Sequence, residues 1–414
     1  MAVRSCLVGA MAAGLLGLSA ASAVAESPAE FTSYGNVHAA QPQADGGNWF
    51  ETWDEGKRFL LEPKYKAHSD ALWQLLRSAN AAGLAIKVQY DPSAAHFDAA
   101  SKKFIYPVCS VELDEARVQT ERTCDASKFS PRTAEGQVGL ALALSTSAAP
   151  RDAIGQIDRA LAGSKLDPSL EVLALGTRAR AYDSIGGNEV PDSDPADRAM
   201  VAALADYRRL AMLAPNDVEV ALGIGWSLQV LGSYDEARSA YQDILKRWPD
   251  EKFRATLRLA MLERQIGNVE ASLDLINGLA GEPGADGMRF HYHRGWSLNS
   301  LGRFDEAIAD LTAGMRAQPD YASAYERRAC AYASVGNLSA ALSDLETAVR
   351  LLAKIPHLES VPGLRHDLRR NERVAAMLRD AIATSRSTDL AAVCGGAWGN
   401  FDEKRKPSPL LPSS

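Results

Sequence analysis

The sequence has little of what usually carries chemistry. It holds five cysteines in 414 residues, and none stands in a C-x-x-C or C-x-x-H spacing. That excludes the local motifs of structural zinc and of dithiol redox sites. No G-x-S-x-G elbow, P-loop or G-x-G-x-x-G fingerprint occurs, so the common hydrolase, nucleotide and dinucleotide signatures are missing. His291 and His293 are the closest histidines. Two residues apart on a helix, they point to different faces and do not chelate together. Asp192, Asp194 and Asp197 offer calcium-like oxygens but lack the glycine and distant glutamate of an EF-hand loop. They read as a solvated acidic loop. The expectation is no catalytic residue, no metal and no cofactor.

Aromatic residues are also scarce, at 7%, and positive charge is outweighed, with a formal net charge of −7 and a pI of about 5.6. No basic patch of the kind that binds phosphate backbones is present, which argues against nucleic acid as the main partner. The short run Lys404-Arg405-Lys406 reads as a solvated piece of tail. Past the N-terminus no stretch reaches the about 18 uninterrupted apolar residues of a membrane span. The N-terminus itself reads as an export signal over residues 1–25. Arg4 supplies the positive start, Cys6 to Leu18 is a short apolar stretch, and Ala23-Val24-Ala25 is a small-x-small cleavage site. An N-terminal membrane anchor is the alternative. The style of the signal is bacterial, so the periplasm or secretion is expected.

Removing residues 1–25 leaves Cys109, Cys124, Cys330 and Cys394. Cys109 and Cys124 flank strand-like segments, and a bridge between them would close a short loop worth about 3 kcal/mol. Cys330 falls in a predicted helix and reads as a small buried residue. Its pairing with Cys394 would require the C-terminal segment to fold back over the last repeat, and is left open.

What the sequence does have is repetition. GWSLQVLGSYDEA begins at Gly225 and returns as GWSLNSLGRFDEA at Gly295, a separation of 295 − 225 = 70 residues. An intermediate copy around Ala260 halves that to 35. Gly232, Gly267, Gly302 and Gly336 hold one place, followed by a small residue (Ala237, Ser272, Ala307, Ala341) and then a large one (Tyr241, Ile276, Leu311, Leu345). Pro249 and Pro319 close two units, and Pro283 falls one residue short in a third. This predicts a helix, a glycine turn and a second helix. The glycine takes the positive φ of a helix C-terminus. The acidic pair after it suits the positive end of the next helix dipole. The small residue lets the two helices approach. One hairpin cannot bury its apolar face alone, so such units stack.

The pattern resembles the tetratricopeptide repeat family. Gly225, Tyr234, Ala237, Tyr241 and Pro249 carry the match in one unit, Gly295, Phe304, Ala307, Leu311 and Pro319 in another, and Tyr325, Ala329, Tyr332, Gly336, Ala341 and Ala348 in a third. Weaker copies run upstream. Ala153, Ile157, Ala160 and Pro168 mark one, and Ala179, Gly186, Ala203, Tyr207, Leu210 and Pro215 another. Residues 187–198, GNEVPDSDPADR, are extra and predict a surface loop. The expected fold class is therefore mainly α, a superhelical solenoid of about six hairpins over 133–355 preceded by a small α+β module over 26–132. A capping helix and loop follow over 356–398, with an apolar stripe of Leu364, Leu368, Ala375, Leu378 and Ile382. A mobile tail ends the chain over 399–414. In the α+β module, 26–48 reads as an extended lead-in, 64–80 as a helix, and 84–90, 104–111 and 117–123 as strands. Pro107 marks an edge or bulge, and Trp49, Trp53 and Trp73 read as core anchors.

In the resembled family the concave face of the first helices binds an extended peptide or a helix of a partner. Residues three and four apart share that face. The stripes are Glu219, Leu222, Trp226 and Gln229; Arg254, Leu257, Met261 and Arg264; Arg289, Tyr292, Trp296 and Asn299; and Ser323, Glu326, Cys330 and Ser334. Trp226, Gln229, Arg254, Arg264, Arg289, Tyr292, Trp296 and Asn299 are the candidate partner-binding residues. An aromatic and cationic groove of this kind suits an acidic or carboxylate-bearing peptide with apolar anchors. The lysine and asparagine pattern of the family's carboxylate clamp is not reproduced, and both tryptophans could instead pack inside the array. The expected function is a non-enzymatic adaptor or assembly scaffold in the bacterial envelope, binding another envelope protein. The alternative is an envelope enzyme or glycan-binding protein whose N-terminal module does the work.

Overall fold

The computed structural model describes residues 32–42, 48–52, 58–61, 76, 79, 85–98, 103–113, 116–119, 131–146, 149–163, 165–189, 193–355, 358, 361–387, 393–394 and 405–411. The expected signal over 1–25, the Cys109–Cys124 bridge and most of the helix at 64–80 lie outside these residues. So do Trp53 and Trp73, and of Trp49 only the backbone is described. The chain divides into two compact units between Ala181 and Tyr182.

The first unit begins with seven strands: β1 Thr32–Pro42, β2 Asn48–Thr52, β3 Arg58–Leu61, β4 Ala85–Tyr90, β5 His96–Asp98, β6 Lys103–Leu113 and β7 Ala116–Gln119. Five of them close a circuit, β1-β2-β3-β6-β4-β1, in which only β3–β6 is parallel. β5 and β7 add to β6. A closed five-strand circuit is the arrangement of an OB-type barrel. Side chains of period two fill it, with Ile86, Val88 and Tyr90 from β4 and Phe104, Tyr106 and Val108 from β6 all buried. The Phe59, Tyr90 and Tyr106 rings meet with centroids 5.0–6.3 Å apart. The register slips between Gln89↔Ser110 and Tyr90↔Val108, so Cys109 is a bulged extra residue two beyond Pro107. The expected lead-in before residue 48 contains β1, paired on both sides. Its small and polar residues, TSYGNVHAAQP, give no alternation from which to read it.

Helices α1 (Ala134–Thr146) and α2 (Pro150–Gly163) and the start of α3 (Pro168–Asn188) complete this unit. α1 approaches the 92–97 segment through two glycines one turn apart. A Cβ at Gly136 would overlap the Ser93 carbonyl oxygen, and one at Gly139 would lie 2.5 Å from Ala95 Cβ. The Glu135 carboxylate accepts from the Phe97 amide at 3.1 Å. Ala153, Ile157 and Ala160 share one core with the barrel residues. For that reason the compact unit runs past the boundary at 132/133 that the period suggests.

The second unit continues with α4 (Asp194–Leu213), α5 (Val218–Val230), α6 (Tyr234–Arg247), α7 (Lys252–Gln265), α8 (Val269–Asn277), α9 (Met288–Ser300), α10 (Phe304–Ala317), α11 (Ala322–Ser334), α12 (Leu338–Ala353) and α13 (Pro362–Thr384). The turn glycines behave as read: Gly232, Gly267, Gly302 and Gly336 have φ of 80°, 93°, 72° and 82°. At each, the next amide reaches back to the third-last helical carbonyl, as in Ser233 N to Leu228 O at 2.9 Å and Arg303 N to Leu298 O at 2.9 Å, a Schellman closure. Gly225 and Gly295 are small for close approach. A Cβ there would sit 2.6 Å from the Tyr241 ring and 2.7 Å from Leu311. The small residues Ala237, Ser272, Ala307 and Ala341 are all fully buried.

Three expectations for this unit are corrected. Residues 187–198 are not a dozen-residue loop: α3 runs to Asn188 and α4 starts at Asp194, with Pro195 in its first turn and Ser193 as N-cap. Asp197 is buried rather than solvated. In the capping helix α13, Leu364, Ala375 and Leu378 are buried but Ile382 is 39% exposed. Arg370 of the same helix is buried and donates to Asn371 Oδ1 at 2.8 Å and Val393 O at 3.2 Å.

Candidate functional site

The first helices of successive hairpins, α5, α7, α9 and α11, touch one another in line, and their shared face carries both tryptophans. Trp226 lies under the Arg258 guanidinium, 4.6 Å from its ring. Trp296 is clasped from both sides, with Arg264 of α7 at 3.6 Å and Arg327 of α11 at 3.5 Å. The Tyr292 ring stands edge-on to Trp296 at 5.6 Å and to Tyr321 at 5.2 Å. The His293 ring runs nearly parallel to Trp296, 13° off and 6.5 Å away. An indole between two guanidiniums of neighbouring repeats is held by cation–π attraction strengthened by burial.

The charges that act on His293 are positive, while Glu326 of α11 lies buried near Tyr292 and Tyr321. Burial pushes the His293 pKa well below its ordinary value, and Arg264, Arg258, Arg289 and Arg327 push it further in the same direction. Four cations thus converge on one neutral imidazole, whose Nδ1 makes no hydrogen bond. Burial also lowers the Arg258 pKa, opposed by Tyr241.

Of the sequence-derived candidates, the structure brings Trp226, Arg264, Tyr292 and Trp296 onto this face, and Arg289 stands exposed at its edge on α9. Three are otherwise engaged. Arg254 is held by both oxygens of Glu219, at 2.6 and 2.8 Å, and by Glu251 at 3.0 Å. Gln229 is 1% exposed. It accepts from Tyr241 Oη at 3.0 Å and donates to Gln265 Oε1 at 2.9 Å, and Gln265 donates on to Tyr234 Oη at 3.3 Å. Asn299 donates to the Arg327 carbonyl at 2.7 Å. Arg254 and Gln229 spend their polar groups on the array itself, and Asn299 its amide donor.

Sequence reasoning missed Arg258, His293 and Arg327. They hold one place in the period with Gly223, since 258 − 223 = 35, 293 − 258 = 35 and 327 − 293 = 34. Each lies four after one stripe residue and three before another, as Arg258 does between Arg254 and Met261. A helix face is two lanes wide, and the reading had kept one.

The C-terminal chain returns to this unit at two places. Cys394 is disulfide-bonded to Cys330, with Cα atoms 4.6 Å apart, so the predicted buried thiol on α11 is a cross-link. Closing 64 residues this way is worth about 4 kcal/mol on a chain-entropy account. Residues 405–411, expected to belong to a mobile tail, are docked at the α5–α6 turn. Arg405 forms a two-pronged pair with Asp197, at 3.0 and 2.8 Å. It also donates from Nη1 to Val230 O at 3.1 Å and from its amide to Tyr234 Oη at 3.0 Å. The Ser408 amide donates to Leu231 O at 2.8 Å, and Leu411 packs on the α5–α6 core. Asp197 and Arg405, read separately as solvated charges, are a buried ion pair. Their separation of 208 positions in the sequence hid it.

Among the described residues no group of three or more His, Cys, Asp or Glu side chains could hold a metal, and no helix is long and apolar enough to cross a membrane. His291 faces away from His293 and meets Asp310 Oδ1 at 2.7 Å, beside Arg294.

The family model of the tetratricopeptide repeat matches residues 222–287 and 292–354. The human aspartyl/asparaginyl beta-hydroxylase is similar over 104 residues at 29% identity, which is 25% of this chain and 14% of that protein. The chain therefore spans about one seventh of that curated relative. Among solved structures, a tetratricopeptide repeat protein from Parabacteroides merdae shares 21% identity at a TM-score of 0.46, covering 58% of this chain and 84% of that one. The type IV pilus biogenesis factor PilW shares 18% at a TM-score of 0.41, covering 56% and 99%.

Proposed function

Starting from a chain that carries a tetratricopeptide repeat array, we propose that it is a non-enzymatic adaptor that binds a segment of another protein on the first-helix face of α5, α7, α9 and α11. The observation that carries this is Trp296, clasped by Arg264 and Arg327 beside a His293 on which four arginines act. Such a face fits a carboxylate-bearing segment with an aromatic or aliphatic anchor. Guanidiniums bind carboxylates through paired donors, and buried aromatic and arginine side chains dominate interface energies. An exported location, the periplasm or beyond, is part of the proposal. The Cys330–Cys394 cross-link supports it, because such bridges persist in oxidising compartments.

The test is a pull-down from envelope extract with the full chain, followed by titration of the captured partner. Trp296→Ala and Arg289→Glu should each weaken binding by at least about 1–2 kcal/mol, as buried interface anchors do. Raising salt should weaken it further. Helical content is measured alongside. If both variants stay folded and bind as tightly as the parent, this face is not the site. A second reading, glycan binding by the N-terminal module, rests on its barrel circuit, since OB-type barrels take oligosaccharides. It predicts glycan binding that Trp296→Ala leaves unchanged.

A further inference from the structure

Elsewhere in the second unit arginines pair with carboxylates. Arg238 meets Glu263 at 2.7 Å, Arg294 meets Asp310 at 2.6 Å and Arg328 meets Asp344 at 2.8 Å. Arg258 of α7 does not follow them. It lies over the Trp226 ring at 4.6 Å, and its Nη1 is buried without a hydrogen-bond partner. One period on, at 293 − 258 = 35, stands His293 of α9. It is 5% exposed, it runs nearly parallel to Trp296, and its Nδ1 is also buried without a hydrogen-bond partner. A buried polar atom left unpaired is costly, and native folds keep few of them. Here two stand at matching places on neighbouring first helices, and both can donate an N–H.

The charged groups around the imidazole come from three helices. Arg258 and Arg264 act on it from α7, Arg289 from α9 itself and Arg327 from α11. Other carboxylates of the neighbourhood have partners of their own. Glu326 of α11 accepts from Asn371 Nδ2 at 2.6 Å. Asp183 of α3, which acts on Arg258, accepts from Tyr207 Oη at 2.5 Å. Asp310 of α10 is taken by His291 and Arg294. Towards α8 the contact is uncharged, Ser297 Oγ with Ser272 Oγ at 3.0 Å. No described carboxylate pairs with Arg258.

That arrangement lacks one thing, a negative oxygen. A guanidinium and an imidazolium are both donors to an oxyanion, and charge assistance makes such bonds strong. Burial and the four arginines keep His293 neutral while the place is empty. An anion beside it offsets the arginines and accepts from the ring, so the charged form becomes the favoured one.

We propose that Arg258 and His293 form an oxyanion pocket on the first-helix face, between Trp226 and Trp296, and that an oxyanion entering it brings a proton onto His293. The proposal rests on the reading of this face as the binding face, and adds where the charged group sits and how its binding is regulated. On that reading the oxyanion is a carboxylate of the bound segment. Linkage is reciprocal, so a proton that follows the anion also tightens its hold. The face therefore captures its ligand more firmly in mild acid than at neutral pH, until the carboxylate itself protonates near about pH 4.

Sodium sulfate is the probe, because it stays doubly charged throughout the range and any pH dependence belongs to the protein. It is titrated into the full, oxidised chain by calorimetry at constant ionic strength, in buffers of different ionisation enthalpy. Affinity should rise at least about fivefold from about pH 7.5 to about pH 5.5, with net proton uptake on binding. Absence of binding, equal affinity at both pH values, or binding without proton uptake overturns the proposal. Arg258→Met removes the charge and keeps an apolar stem against Trp226, and should weaken sulfate binding at least about tenfold. His293→Gln keeps a donor that does not titrate, and its sulfate affinity should change less than about twofold over the same range. A pH dependence retained in that variant assigns the proton elsewhere and overturns the proposal. Should either variant fail to fold by circular dichroism, the parent decides by histidine-ring NMR. A signal that titrates well below about pH 6.5 without sulfate should move up by at least about one unit with it. No such movement overturns the proposal. Failure of the partner reading looks different. Proton-linked sulfate binding with no captured protein removes that reading alone, whereas a captured partner that depends on Trp296, with no sulfate bound by the free chain, removes this one alone.

Discussion

The two copies of the repeated thirteen letters do the same thing inside and different things outside. In both, the glycine before the tryptophan lets the second helix close in, against Tyr241 in one and Leu311 in the other. Both turns close through a left-handed glycine. Their surroundings then diverge. Gly232 lies under the C-terminal chain, where a Cβ would sit 2.9 Å from Lys406 O, whereas Gly302 has nothing within 4 Å. Trp226 has Arg258 stacked on it, while Trp296 has both Arg264 and Arg327. The shared letters therefore specify a hairpin. The surface is specified by what neighbouring repeats and distant chain bring to it.

The largest expected effects fall on the shared part. Gly225→Ala and Gly295→Ala should each cost about 1–3 kcal/mol of stability by overpacking, read from denaturant midpoints. Gly225→Ala should cost more, because the Tyr241 ring it meets is rigid and engaged with Gln229, whereas the Leu311 branch can turn. Equal tolerance of both would break the claim that these glycines exist for close approach.

Smaller effects separate the turns. Gly232→Ala and Gly302→Ala should each cost on the order of 1 kcal/mol for a side chain in left-handed backbone. Only Gly232→Ala should also release the docked tail, seen as faster hydrogen exchange at the Ser408 amide, which donates to Leu231 O. If both variants leave that amide equally protected, the tail does not depend on this turn.

The smallest effect concerns acid. The second copy has His293 where the first has Gly223. Its folded-state pKa is depressed by burial first and then by the four arginines. The unfolded chain therefore takes up the proton first. Stability from this group is present above the unfolded value of about 6.5 and is lost as pH falls below it. Going from pH 7 to pH 6 should remove roughly 0.7 kcal/mol, and His293→Gln should abolish that increment. A parent whose stability is flat across this range would show that His293 takes up its proton alike in the folded and the unfolded chain.

Much of this was legible from the letters, for identifiable reasons. The left-handed turns at Gly232, Gly267, Gly302 and Gly336 follow from residue type and spacing, because only glycine takes that backbone without strain. Helices α5 to α12 follow with them, except that the glycines at 278, 281 and 284 end α8 early at Asn277. The tryptophans and Arg264 and Tyr292 fell on the face where helical spacing put them. What was not legible depends on contacts distant in sequence. Strand β1 is specified by partners on either side rather than by its own apolar pattern. Arg405 and Asp197 are each ordinary surface letters until the chain brings them together. Gln229 and Arg254 sit at the right angle on their helices, but Tyr241, Gln265 and Glu219 claim their polar groups first. No spacing rule announces that competition.

The bond between Cys330 and Cys394 also decides where mechanical load enters the molecule. A linear stack of hairpins frays from its ends, because a terminal unit has one neighbour only. Here residues 330–394 form a closed covalent ring that contains α12 and α13. Tension on the C-terminus arrives at α11 directly, and α12 and α13 hang in a bypassed loop that carries none of it. Pulling on the tail therefore shears the docked 405–411 segment and then loads the sixth hairpin through its first helix, leaving the capping helix packed and slack.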